Sequence, residues 1–264
     1  MSGKVCLITG GTSGIGRCTA AAMKERGYTV YELSRRETGV EGFFHIPTDV
    51  TDEAMVNAAV EEVLRHEDHI DVLINNAGFG VSGAVEFTAL ADAKRQLEVN
   101  FFGMVNVCHA VLPVMRKVGK GRIVNLSSVA GAIPIPFQTY YSVSKAAINS
   151  YTMALANEVR PFGIQVCAVM PGDIRTGFTA ARQKSQLGDD VYGGRISRSV
   201  AGMEHDEQTG MSPETAGAYI ASVATRRSVK PLRSIGLKYK FFCVLAKLLP
   251  VRTLNWLVGL IYAK

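Results

Sequence analysis

Val5-Cys6-Leu7-Ile8-Thr9-Gly10-Gly11-Thr12-Ser13-Gly14-Ile15-Gly16 joins a short apolar run to a glycine-rich turn, and good helix formers follow from Cys18 to Met23, as far as Gly27. The apolar run reads as a buried strand. Strand, glycine turn and helix together make the first half of a dinucleotide-binding unit. Glycines let the backbone approach a pyrophosphate, and the helix N-terminus offers free N–H groups and partial positive charge. The spacing is Gly-x-x-x-Gly-x-Gly rather than Gly-x-Gly-x-x-Gly. Taken alone, the stretch also reads as an ordinary glycine turn.

Working outward, strands are expected near 4–9, 29–34, 42–46, 70–75, 121–127, 164–170 and 232–236. Helices are expected near 14–26, 52–67, 89–117, 139–160 and 213–225. This alternation predicts an α/β fold, a doubly wound parallel sheet covered on both faces. Thr51 or Asp52 caps one helix, and Ser212-Pro213-Glu214 places a capping hydroxyl before proline at the first helical position of another. Residues 1–236 read as a single domain, with the irregular stretch 177–211 as a substrate lid at the carboxyl ends of the strands. Residues 237–264 read as a helical extension.

At 264 residues the chain can bury a full core without disulfide staples. Its five cysteines (6, 18, 108, 167, 243) form no Cys-x-x-Cys pair, and Cys6 and Cys167 fall in apolar strands as buried thiols. The five histidines show no ligand spacing with cysteines, so no metal site is expected. The first strand begins near residue 4, too early for a signal peptide. A reduced, cytoplasmic setting is the expectation.

Tyr141-Ser142-Val143-Ser144-Lys145 places a phenol and an ammonium one helical turn apart, on one face. Free tyrosine ionises near pH ~10. A nearby positive charge favours the phenolate, so the pair reads as a general acid/base able to exchange a proton with an alcohol oxygen. Tyr140 has no such partner, because residue 144 is serine.

With the glycine turn, this pair makes the chain resemble the single-domain short-chain dehydrogenase/reductases. The matching motifs are Thr9 to Gly16, Asp49-Val50, Asn75-Asn76-Ala77-Gly78, Asn100, Ser127-Ser128, Tyr141 to Lys145, and Pro171-Gly172 with Thr176, in the family's order. The resemblance implies that Ser128, 13 positions before Tyr141, orients the substrate oxygen. It implies that Lys145 tunes the tyrosine and binds the nicotinamide ribose, and that Asn100 holds a proton-relaying water. Strand alternation turns Ser127 to the opposite face. Asp173 and Arg175 read as loop-fixing. The cofactor contacts implied are Gly10, Thr12, Ser13, Gly14, Ile15 and Gly16 at the pyrophosphate, and Asp49 and Val50 at the adenine. Asn76, Ala77 and Gly78 would back the adenosine, with Tyr141, Lys145, Pro171, Gly172 and Thr176 at the nicotinamide end.

NADP rather than NAD follows from charge. The slot for an acid that would bind a ribose 2′-hydroxyl is Ser34, 18 residues after Gly16, and Arg35 and Arg36 follow it. Guanidinium forks well onto phosphate. Glu32 reads as pre-terminal in the strand and Glu37 as solvated. Together these assign an NADP-dependent oxidoreductase interconverting a secondary alcohol and a ketone. The alternatives are a reductase of a small polar carbonyl compound, and a non-catalytic dinucleotide sensor, which the intact Tyr141–Lys145 pair argues against. A sugar-nucleotide epimerase would need a separate substrate domain.

The helices near 89–117 and 139–160 spread apolar residues (Val99, Phe102, Val105, Val107, Ala110, Val111) around more than one side, predicting a homodimer or homotetramer. Nine of the 29 lysines and arginines follow Glu214, the last acidic residue, leaving 20 basic against 23 acidic before that point. The chain's net charge of +6 is therefore created by its end, which argues against a nucleic-acid surface. Apolar residues on both sides of Pro250 predict two short amphipathic helices, neither reaching the ~20 apolar residues that span a bilayer. They would pack on the enzyme's own cleft or a neighbouring subunit or, on the sharper reading, rest peripherally on anionic membrane. Each reading favours an apolar substrate, steroid- or lipid-like, over a sugar.

Overall fold

The computed structural model describes residues 3–263. Seven parallel strands form the main sheet: β1 (Lys4–Thr9), β2 (Tyr28–Ser34), β3 (Phe44–Pro47), β4 (Val72–Asn75), β6 (Gly121–Leu126), β7 (Ile164–Met170) and β9 (Leu232–Ser234). Their order is β3-β2-β1-β4-β6-β7-β9, so the winding reverses between β1 and β4. The two-residue strands β5 (Val81–Ser82) and β8 (Gln183–Lys184) pair separately. This is the doubly wound, single-domain α/β architecture that the alternation predicts.

Alternation along β1 shows why both faces must be covered. Val5 and Leu7 enter one core with Val56, Val60, Val107, Val111 and Ile123. Cys6 and Ile8 enter the opposite core with Met23, Val124, Cys167, Ala216 and Ile220. A strand buried on both sides reads as a continuous apolar run, and β1 does. Helices α2 (Glu53–His66), α4 (Gly103–Val118) and α5 (Thr139–Glu158) supply the first layer, α1 (Gly14–Glu25) and α8 (Pro213–Thr225) the second. Asp52 caps α2 by accepting from Met55 N at 3.0 Å, and Ser212 caps α8 through Thr215 N at 3.2 Å.

Three expectations need correction. The helix near 89–117 is not uniform: α3 (Leu90–Leu97) passes through a π-helical turn (Glu98–Phe102) into α4. The run Leu90–Val118 is long and apolar enough to cross a membrane by length and composition. However, Met104, Val107, Cys108, Val111 and Met115 commit one face of it to the core. Val107 and Val111 are consequently not part of any second apolar side, whereas Phe102, Val143 and Met153 do face outward. Thirdly, residues 177–211 are largely ordered, as the short α6 (Phe178–Ala181), β8 and the four-turn α7 (Arg195–Gln208). Helix α7 buries Ile196, Ser199, Val200 and Met203, a helical spacing masked by the charges between them. Beyond β9, α9 (Leu237–Leu248) and α10 (Val251–Tyr262) form on either side of Pro250 as expected.

Candidate active site

The crevice lies at the carboxyl ends of β1 and β4, where the winding of the sheet reverses. There the glycine turn is laced to the Asn76-Ala77 turn. Thr9 Oγ1 accepts from Asn76 N and Ala77 N at 3.0 Å, and Asn76 Nδ2 donates to Thr9 O at 3.1 Å and Gly10 O at 3.0 Å. Gly10 has a left-handed φ of 66°, which favours glycine. A Cβ on Gly16 would lie 2.2 Å from Gly10 O, so the start of α1 approaches the turn as closely as backbone allows. No acid stands in the first turn of α1, and the Ser13 hydroxyl makes no capping bond. Thr176 lies against Gly14 from the far side, its Cβ 3.6 Å from where a Gly14 Cβ would stand. A narrow cradle at a helix N-terminus whose first turn carries no acid fits a dinucleotide pyrophosphate.

At the end of β2, Glu32 is buried and fully engaged. Its carboxylate accepts from Gly11 N at 2.8 Å and Ser34 Oγ at 3.3 Å, and meets His45 Nδ1 at 2.6 Å. It braces the glycine turn from within. Ser34 is half-buried, while Arg35, Arg36 and Arg17 are exposed. Asp49 Oδ1 accepts from Thr51 N and Oγ1 at 3.0 and 2.8 Å, and Val50 is buried beneath α4.

The four residues expected to do chemistry converge. Ser128 follows β6 and caps a short 3₁₀ turn, accepting from Ala130 N at 3.1 Å and donating to Pro171 O at 3.5 Å, and its hydroxyl acts on the Tyr141 phenol so as to favour the phenolate. Ser127 turns the other way, donating to Lys145 O at 2.9 Å. Lys145 is buried, donates to Leu126 O at 2.7 Å, and sits 5.6 Å from the Tyr141 ring centroid. Asn100 is buried within the π turn. Its Oδ1 accepts from Phe79 N at 2.9 Å, and its Nδ2 donates to Phe79 O at 3.0 Å and Ser144 Oγ at 3.1 Å. The extra residue of a π turn often marks a functional site, and here it aims Asn100 at the Gly78–Lys145 corner.

One electrostatic expectation is not met. Burial, not the lysine, governs Tyr141: its phenol is pushed up to about 12, opposed by the Ser128 hydrogen bond and the charge of Arg182. Burial likewise lowers Lys145 to about 8.

Sequence reasoning missed a second cluster beside the tyrosine. Phe178 lies 5.8 Å from the Tyr141 ring, and the Arg182 guanidinium lies 5.7 Å from Phe178. Arg182 is buried and pairs with Glu207 of α7, whose other oxygen accepts from Thr179. No spacing rule links residues 182 and 207. Tyr239 of α9 was missed too. Its ring covers Gly172, where a Cβ would lie 2.2 Å away, and its hydroxyl binds the Asp173 carboxylate and accepts from Asp173 N at 3.1 Å. Asp173 thus fixes its loop, as expected. Phe137, just before α5, holds a left-handed φ of 59°, a strained conformation for a bulky residue.

The short chain dehydrogenase family profile matches residues 4–187. The 3-ketodihydrosphingosine reductase of Bacteroides thetaiotaomicron is 39% identical over 267 residues, covering 100% of this chain and 99% of that protein. The probable short-chain type dehydrogenase/reductase VdlC of Helicobacter pylori is 32% identical over 252 residues, covering 93% of each. A short-chain dehydrogenase of Streptomyces avermitilis superposes with a TM-score of 0.85 at 31% identity, covering 96% of this chain and 94% of that one. Solved relatives include chains bound to NADP and to NADH.

Proposed function

Because the chain belongs to the short-chain dehydrogenase family, whose members are nicotinamide-dependent oxidoreductases, we propose that it reduces a ketone on a lipid-like substrate with NADPH. The observation that carries the chemistry is the convergence of Ser128, Tyr141 and Lys145, with the buried Lys145 ammonium 5.6 Å from the Tyr141 ring on the same face of α5. When bound, a dihydronicotinamide would be the source of the hydride that reduces the carbonyl carbon. Ser128 and Tyr141 hold the carbonyl oxygen, and Tyr141, which keeps its proton at neutral pH, delivers it as the alkoxide develops. Lys145 and the Asn100 corner return a proton to the tyrosine. Gly10, Thr12, Ser13, Gly14, Ile15 and Gly16 would cradle the pyrophosphate, with Asp49, Val50, Asn76, Ala77 and Gly78 around the adenosine. Pro171, Gly172 and Thr176 would close on the nicotinamide.

NADP is preferred to NAD because Glu32, the acid at the end of β2, is consumed by Gly11, Ser34 and His45, and Arg35 and Arg36 are exposed beside it. The long-chain ketone is preferred because the relative matched along the whole chain is named for one. The helical rod and α5 also present Phe102, Val143 and Met153 outward, which suits a homodimer or homotetramer.

The test is NADPH oxidation against 3-ketodihydrosphingosine and a series of ketones of rising chain length. We expect activity that climbs with chain length, is at least tenfold weaker with NADH, and falls about 10²–10⁴-fold in Tyr141→Phe. Reduction should decline above pH about 8 as Lys145 loses its proton. A loss of only a few-fold on Tyr141→Phe removes the mechanism.

A further inference from the structure

Helices α9 and α10 turn apolar side chains outward to an extent found nowhere else on the described surface. Leu237, Phe241, Val244 and Leu248 are 82%, 62%, 56% and 76% exposed. Their spacing of four, three and four residues puts them on one face of α9. Val251, Trp256, Leu260 and Ile261 are exposed on α10. Such a face needs an occupant.

The charge around it chooses among occupants. No acidic residue follows Glu214, and Lys238, Lys240, Lys247 and Arg252 are all exposed on these helices. Lys238 lies over the rings of Tyr239 and Phe242, at 5.4 and 6.0 Å. Its ammonium is thereby held over aromatic faces at the edge of the apolar stripe, which places positive charge beside it. The carboxylates that face the tail, Asp173 and Asp206, act on the half-buried Tyr239 and Tyr262. A second copy would bring like charge against like charge. An anionic lipid surface answers both the apolar stripe and the cations. Spanning is excluded by length: twelve residues of helix reach about 18 Å, against about 30 Å of hydrocarbon.

Position gives the face its use. Tyr239 ties α9 to the Gly172-Asp173 loop. At the other end, α10 packs on lid helix α7, burying Val258, while Arg195 Nε donates to Ala263 O at 2.7 Å. The tail therefore borders both the loop beneath the nicotinamide end and the lid over Tyr141. We propose that α9 and α10 dock the mouth of the crevice onto anionic membrane, so that a ketone lipid passes from the bilayer into the site without crossing water. The use of the docked state rests on the lipid-ketone reading above; the docking itself does not.

The test is flotation of the full chain with phosphatidylglycerol-containing vesicles and with phosphatidylcholine alone, alongside two triple variants. One replaces Leu237, Phe241 and Leu248 by Ser, and the other replaces Lys240, Lys247 and Arg252 by Glu. The wild type should float with anionic vesicles only, and both variants should lose about tenfold or more of that binding. Both should keep wild-type rates on a short, water-soluble ketone and lose turnover of a vesicle-embedded long-chain one. Failure of the wild type to float, or flotation untouched by both variants, overturns docking. A sedimenting dimer that Phe241→Ser dissociates assigns the face to a second copy instead. Flotation without turnover of any long-chain ketone, while the short ketone is reduced, leaves docking intact and sinks the substrate reading.

Discussion

On the amino-terminal side of the crevice, Thr9, Gly10, Gly16 and Asn76 hold one another through two short side chains, Thr9 Oγ1 and Asn76 Nδ2, bonded to backbone that is packed to contact. On the carboxyl side, Arg182 reaches Glu207 and Tyr239 reaches Asp173 through long side chains, and the surface beyond them is apolar and open. The first side is complementary to something nearly constant, a pyrophosphate and its sugars. The second is held together by contacts that a change of one residue can re-aim, which is what a variable substrate requires. Tyr141 and Lys145 lie between the two: burial sets the state of both, and only Tyr141 also feels Arg182 and Glu207.

The comparison breaks most easily at its glycines. Gly16→Ala places a methyl 2.2 Å from the backbone Gly10 O and 2.4 Å from Asn76 Nδ2, an amide already tied to Thr9 O and Gly10 O, so nothing cheap can move. We expect at least a hundredfold loss of NADPH affinity by calorimetry, with the rest of the fold retained by circular dichroism. Gly202→Ala, in α7, meets nothing within 4 Å. It should raise stability by up to ~1 kcal/mol, since alanine is the better helix former, and leave kinetics unchanged. Equal tolerance at both positions would remove the distinction between the two sides.

What the sequence made legible follows the same division. Strand β1 reads as buried because Val5, Cys6, Leu7 and Ile8 serve two cores, and the glycine turn because close backbone approach forbids other residues. Tyr141 and Lys145 are visible because helical periodicity makes i and i+4 neighbours. Arg182 and Glu207 are not, because their meeting depends on how a loop and a lid helix fold back on each other. Helix α7 was hidden for a related reason, its few apolar residues being spread among charges. The π turn at Asn100 was invisible because a helix with one extra residue per turn has no pattern of its own. The pull of Lys145 on Tyr141 was overestimated from spacing alone, since spacing says nothing about the burial that both groups suffer.

A sharper, smaller effect is expected at the end of β2. Arg35 is exposed beside Ser34, where an acid would otherwise select NAD. A charged hydrogen bond to phosphate contributes about 1.5–3 kcal/mol, so Arg35→Ala should raise the KM for NADPH about tenfold or more while that for NADH barely moves. Parallel loss with both cofactors would mean that Arg35 serves the adenosine rather than its phosphate.

The smallest effect on ligand binding tests the other side. The Arg182 side chain is almost entirely buried and Glu207 mostly so, which makes the two ways of breaking the pair unequal. Glu207→Ala leaves a buried guanidinium without its counter-charge, and removing one partner of such a pair costs about 3–5 kcal/mol. Arg182→Met instead leaves a carboxylate closer to solvent, with Thr179 still donating to it, and fills the space over Phe178 with an apolar chain. Glu207→Ala should therefore lower the thermal midpoint by several degrees more than Arg182→Met does. Because the pair joins α7 to the segment carrying Phe178, both variants should raise the KM for ketone several-fold and leave the KM for NADPH alone. If the two variants lose equal stability, the charge is not what the pair contributes. If NADPH binding weakens in step with ketone binding, the latch belongs to the cofactor side and the division between the halves is drawn in the wrong place.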